Sequence, residues 1–96
     1  MFNKYLAGCR VYAARKYQRM TQFELAEKMC YGDVSSISHA ERGKSNALYD
    51  IRTMEHYSEA LGVTRLFLSD GIISKDAEEE IEKIAEKYWH KRGGKT

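Results

Sequence analysis

A chain of 96 residues has room for one domain of ordinary size with one further helix, and excludes a second domain. A hydrophobic share of 43% with 11% aromatic excludes a disordered chain, although a domain this short is marginal by surface-to-volume scaling and gains from a partner chain. The net charge of +2 does not by itself imply a polyanionic partner, yet it is unevenly placed: residues 1–46 hold eight Lys/Arg against four Asp/Glu, and residues 47–96 hold eight against ten. The basic half is the one expected to face a partner.

The first helix carries the apolar stripe Leu6, Cys9, Ala13 and Tyr17, with Arg10, Arg15 and Lys16 between. Thr21 is a predicted N-cap, and Glu24 three residues on completes a capping box before Leu25, Ala26 and Met29. The segment Cys30-Tyr31-Gly32-Asp33 is a turn, with Gly32 suited to positive φ and Asp33 to capping a third helix of about two turns. That helix buries Ile37 and Ala40, and Gly43 stops it. After the polar Lys44-Ser45-Asn46, a fourth helix is expected to carry Leu48, Ile51, Met54, Tyr57 and Leu61 up to Gly62. Thr64 caps a short fifth helix with Leu66, Phe67 and Leu68, closed by Asp70-Gly71. In the last helix Ile81, Ile84, Ala85, Tyr88 and Trp89 share one face, and Glu78, Glu79, Glu82, Lys83 and Glu86 the other.

Cys9 and Cys30 form no CxxC pair and have no histidine at ligand spacing, so they read as small apolar residues, and neither a metal nor a disulfide is expected. No cofactor is expected either. Glu24, Glu27, Glu41, His39, His56 and His90 fall at no spacing that acid/base or metal chemistry requires, and no Gly-rich phosphate loop occurs, which argues against an enzyme. Without a basic segment leading into an apolar run at the N-terminus, or eighteen consecutive apolar residues anywhere, the expected location is cytoplasmic, with no membrane partner.

Thr21-Gln22-Phe23-Glu24-Leu25-Ala26, the Gly32 turn, Ile37-Ser38-His39-Ala40-Glu41-Arg42-Gly43 and Ala60-Leu61-Gly62-Val63 together resemble the lambda-repressor-like (XRE) helix-turn-helix family, over about residues 5 to 70. The family pattern is TQxxLA, a glycine turn, then ISxxExG. This chain departs from it in a turn one residue longer between Met29 and Ile37, in Arg19 where the family often has glycine, and in a proline-free loop after Glu41.

The resemblance implies an all-α fold, a five-helix helix-turn-helix domain over residues 1–71; the helical pattern beyond it adds an extra C-terminal amphipathic helix and basic tail over residues 72–96. The resemblance implies that Gln22 contacts the DNA backbone within reach of a base, that Val34, Ser35, Ser36 and His39 occupy base-facing positions, and that Arg42, Lys44, Ser45 and Asn46 approach phosphate. It also pairs Arg15 with Glu41 as a structural ion pair that orients two helices. A base-facing set without Arg, Gln or Asn leans on DNA shape and phosphate register.

The last helix lies outside the resemblance. Its stripe, Ile81, Ile84, Ala85, Tyr88 and Trp89, is expected to act as a lid, partly covered by folding back onto Phe67 and Ile72, and also as a dimer seam, which the charged margin and the needs of a palindromic operator favour. The expected function is a non-enzymatic, sequence-specific transcriptional regulator, a phage or mobile-element repressor bound to double-stranded DNA as a homodimer. Two other roles fit the same residues. One is an antitoxin-type regulator that holds a protein partner through the acidic C-terminal region; the other is an interaction module, an anti-repressor, that keeps the fold without binding DNA.

Overall fold

The computed structural model describes residues 2–93 and contains six α-helices and one short 3₁₀ turn, with no strand among the described residues. In chain order these are α1 (Lys4–Tyr17), α2 (Gln22–Lys28), α3 (Ser35–Glu41), the 3₁₀ turn Ala47–Tyr49, α4 (Ile51–Leu61), α5 (Arg65–Asp70) and α6 (Asp76–Lys91). Residues 94–96 of the expected basic tail lie outside the described residues.

Local chemistry sets the helix starts. The Asn3 side chain accepts from the backbone N–H groups of Tyr5 and Leu6, at 2.9 and 3.2 Å. The Thr21–Glu24 capping box is complete, with its two bonds at 3.0 and 2.9 Å, and Thr64 accepts from the Phe67 N–H at 3.2 Å. The first three helices end in Schellman geometry. Met20 bonds back to Arg15, Tyr31 to Ala26 and Lys44 to His39, each across a residue in the left-handed region.

Only the third of these left-handed positions is a glycine, Gly43 at φ +70°. The other two are Arg19 at +57° and Cys30 at +59°, conformations that cost a side chain about 1–2 kcal/mol each. Gly32, expected to supply the positive φ of its turn, does not adopt it. The chain reverses two residues earlier, at the C-terminus of α2, because the Tyr31–Ala26 bond fixes Cys30 there. Of the two cysteines read as small apolar residues, Cys30 is exposed and Cys9 is fully buried.

α1 is the axis of the molecule. It touches α3, α4, α5, α6 and the 3₁₀ turn, and Ala7, Gly8, Cys9, Val11, Ala13 and Ala14 are all buried, so burial runs round the helix rather than along one stripe. Tyr17, expected on the buried stripe, is 45% exposed at the last turn. Leu48 is buried from the 3₁₀ turn, not from α4. Asp50 is extended between them, which breaks the helical phase and leaves Ile51 60% exposed. Met54, Tyr57 and Leu61 carry the α4 face inward, as do Phe67 and Leu68 for α5, while Leu66 points out.

α6 packs chiefly along α1, not against Ile72, which is exposed. Ile81 and Ala85, expected to belong to a dimer seam, are buried in the same core as α1, and Ile84, Tyr88 and Trp89 are partly buried against it. The physical reason is economy of apolar surface. α6 lies along α1, with Arg10 holding Glu82 and Tyr12 stacked on Tyr88, and burying an isoleucine there contributes about 1.5–3 kcal/mol. Residues on both sides of residue 71 thus belong to one core.

Two acids expected on the solvent face of α6 also turn inward. Glu82 receives the Arg10 guanidinium at 3.0 Å, and Arg10 donates to the Leu68 carbonyl at 3.3 Å, tying α1, α5 and α6 together. Glu78 is fully buried and accepts from the N–H groups of Thr64, Ser74 and Lys75 at 2.8, 2.9 and 3.3 Å. Burial opposes its charge, but the three backbone donors outweigh that and hold its carboxyl below the usual carboxylate range.

Because this pKa is lower in the folded chain than in the unfolded one, the contribution of Glu78 is present above about pH 4.3 and is lost as pH falls through the folded value. Chemical denaturation from pH 7 to pH 3 is expected to show a falling midpoint in the native chain. In Glu78→Gln, whose amide leaves a donor unanswered, stability is expected to start lower, by about 1–3 kcal/mol, and the midpoint to fall less with acid. Parallel pH profiles for the two chains would contradict the role.

Candidate nucleic-acid interface

α3 is two-sided. Ile37, Ala40 and Glu41 face inward, and Ser35, Ser36 and His39 are exposed on the opposite side with Arg42 one turn further on. The Asp33 carboxylate accepts from the Ser35 N–H at 2.8 Å and fixes the start of the helix. Val34 sits just before it, 36% exposed. At the other end the Schellman turn at Gly43 leads out to Lys44, and the Tyr5 ring lies where a side chain on Gly43 would be.

The loop residues differ in freedom. Lys44 is exposed, the Ser45 hydroxyl accepts from the Ala47 N–H at 3.0 Å, and the Asn46 side chain accepts from the Lys4 ammonium at 3.0 Å. Asn46 thus brings a second cation, Lys4, to the loop. Gln22 is half-buried and donates to the Glu41 carboxylate at 3.1 Å, which positions its amide at the start of α2 beside the inner edge of α3. Phe23 next to it is 63% exposed.

Behind this surface lies a charged network. Arg15 of α1 grips Glu41 in a two-pronged contact at 2.6 and 3.0 Å, and its third arm donates to the Met20 carbonyl at 2.9 Å. Both partners are buried. α1 and α3 approach closely at Gly8, where an added Cβ would lie 2.2 Å from the Ala40 carbonyl oxygen and 3.0 Å from that of Glu41.

The chain matches no family profile, no curated protein and no solved structure.

The surface presents hydroxyls, an imidazole and cations on a short helix held from behind. Among the described residues no group of three His, Cys, Asp or Glu could hold a metal ion, and no helix is long and apolar enough to cross a membrane. Sequence reasoning did not single out Gly8, Tyr12 or Arg92. Gly8 carried a signal, since a glycine inside a helix costs about 1 kcal/mol against alanine and calls for a packing reason.

A second exposed feature lies elsewhere. Tyr49, Ile51 and Leu66 are 59%, 60% and 50% exposed and border a groove of about 310 Å³ floored by Leu48 and Met54, with Arg65 and Asp70 on its rim.

Proposed function

We propose that the chain is a sequence-specific DNA-binding transcriptional regulator of the lambda-repressor-like kind, with α2 and α3 as its helix-turn-helix and α3 entering the major groove. The observation that carries this reading is the outer face of α3, where Ser35, Ser36 and His39 stand exposed on a helix anchored through Ile37, Ala40 and Glu41, followed at once by exposed Arg42 and Lys44. The cations set affinity through phosphate, and the short polar side chains with Val34 read base edges and groove shape. Gln22, held at the start of α2, is assigned to the backbone on the near side, with Ser45 and Asn46 completing the phosphate register.

The partner copy is assigned to the groove bordered by Tyr49, Ile51 and Leu66, now that Ile81 and Ala85 lie in the core. A rim with both Arg65 and Asp70 suits a two-fold seam, since each can face the other across the axis. A homodimer of this kind would bind a palindromic operator as a repressor. The same groove also fits the rival reading, an interaction module docking on another regulator.

Changing Lys44→Ala tests the phosphate assignment. Titration of labelled duplexes across salt concentrations is expected to show weaker binding to all sequences alike, with the salt slope reduced by about one unit. An unchanged slope would remove Lys44 from the interface.

A further inference from the structure

We propose that the C-terminal turn of α6 braces the end of α3, with Arg92 as the positioning residue. Arg92 donates to the last two carbonyls of that helix end, Glu41 O at 3.1 Å and Arg42 O at 2.8 Å. These are backbone acceptors that a helix C-terminus leaves unsatisfied, at the negative end of its dipole, where a planar guanidinium can bond two at once.

The guanidinium is itself held. It lies 5.2 Å over the Tyr88 ring, Tyr88 stacks on Tyr12 of α1 with centroids 3.8 Å apart and planes 14° from parallel, and Arg15 lies 5.4 Å from the Tyr12 ring on its way to Glu41. The contacts close on themselves: from Glu41 through Arg15, Tyr12, Tyr88 and Arg92 back to the Glu41 carbonyl. Every link joins two of the three helices α1, α3 and α6 or orders a side chain that does. Cation–π and stacking contacts each depend on the orientation of the next ring, so the circuit resists rotation of α3 about its own axis as well as its departure.

The consequence is that the helix outside the helix-turn-helix determines where its outer face sits. Ser36 and His39 are carried on a helix whose far end is clamped from α6, so α6 acts on the interface without belonging to it. This assignment of effect rests on the proposed DNA-binding role, whereas the brace itself does not.

Amide hydrogen exchange on the full chain separates the two. In Arg92→Ala, exchange at Arg42, Gly43 and Lys44, the amides that close α3, is expected to speed up about tenfold while α4 and α5 keep their rates. Arg92→Lys keeps the charge but loses the fork, and is expected to fall between. Unchanged rates at α3, a uniform rise in all helices, or full protection with lysine would each overturn the brace. Titration of a mixed-sequence duplex with Arg92→Ala is expected to show severalfold weaker binding at unchanged salt slope; a slope lower by about one unit would mean that Arg92 touches phosphate itself and would overturn its positioning role. Failure of the native chain to bind any duplex would contradict the DNA-binding reading alone, with the exchange result still deciding the brace.

Discussion

Glu41→Ala is expected to remove on the order of 3–5 kcal/mol of stability, the largest loss foreseen for a single side chain here. The carboxylate is 2% exposed and accepts from both arms of the Arg15 fork and from Gln22. Without it, the Arg15 guanidinium is buried with the Met20 carbonyl as its remaining acceptor. A charge left so is much costlier than a broken surface pair, and domains of this size have only about 5–15 kcal/mol in total. Urea unfolding followed by circular dichroism would read the loss. The double change Arg15→Met with Glu41→Leu is expected to be near neutral, because desolvating the pair costs nearly what its attraction returns. A loss below about 1 kcal/mol in Glu41→Ala would contradict the buried pair.

Gly8→Ala is the second large effect, and its sign follows from two opposed terms. Alanine favours the helix by about 1 kcal/mol over glycine. Against that, its methyl would sit 2.2 Å from a backbone oxygen of α3, and backbone cannot swing aside as a flexible side chain can. Overpacking of this kind costs about 1–3 kcal/mol or more, so steric exclusion wins and the variant is expected to unfold at lower urea. α3 would also be pushed from α1, and duplex binding would fall. A stabilised Gly8→Ala chain would show that the two helices separate freely and that their crossing does not fix the interface.

What the sequence made legible was local. Thr21 with Glu24, Thr64, and the stops at Gly43, Gly62 and Gly71 are caps whose partners lie within a turn or two, and each forms as its residues suggest. The all-helical class followed from the same signals. What escaped notice depended on partners far along the chain. Glu78 reads as one more solvated acid until the N–H groups of Thr64, Ser74 and Lys75 converge on it. The α6 stripe reads as a lid and as a seam alike until its packing along α1 is seen, with Glu82 on Arg10 and Tyr88 on Tyr12. Left-handed Cys30 shows no local mark at all, and Arg19 only the glycine that the resembled family often has there, because the Schellman bonds impose that conformation against the residue's preference. Within the candidate site, the exposed face of α3 could be counted from helical spacing, but the Arg15–Glu41 contact came from the resemblance, and the tie from Arg92 to α3 spans about half the sequence.

The central claim is that the outer face of α3 reads DNA sequence in a two-fold complex. Selection of bound fragments from a random duplex pool tests it most directly. Enrichment of a palindromic motif is expected, with half-sites centred about 10–10.5 base pairs apart or a multiple of that. The enrichment should be lost when Ser35, Ser36 and His39 are changed together to alanine in a chain that still folds. A pool that emerges without any enriched sequence from the native chain would contradict it.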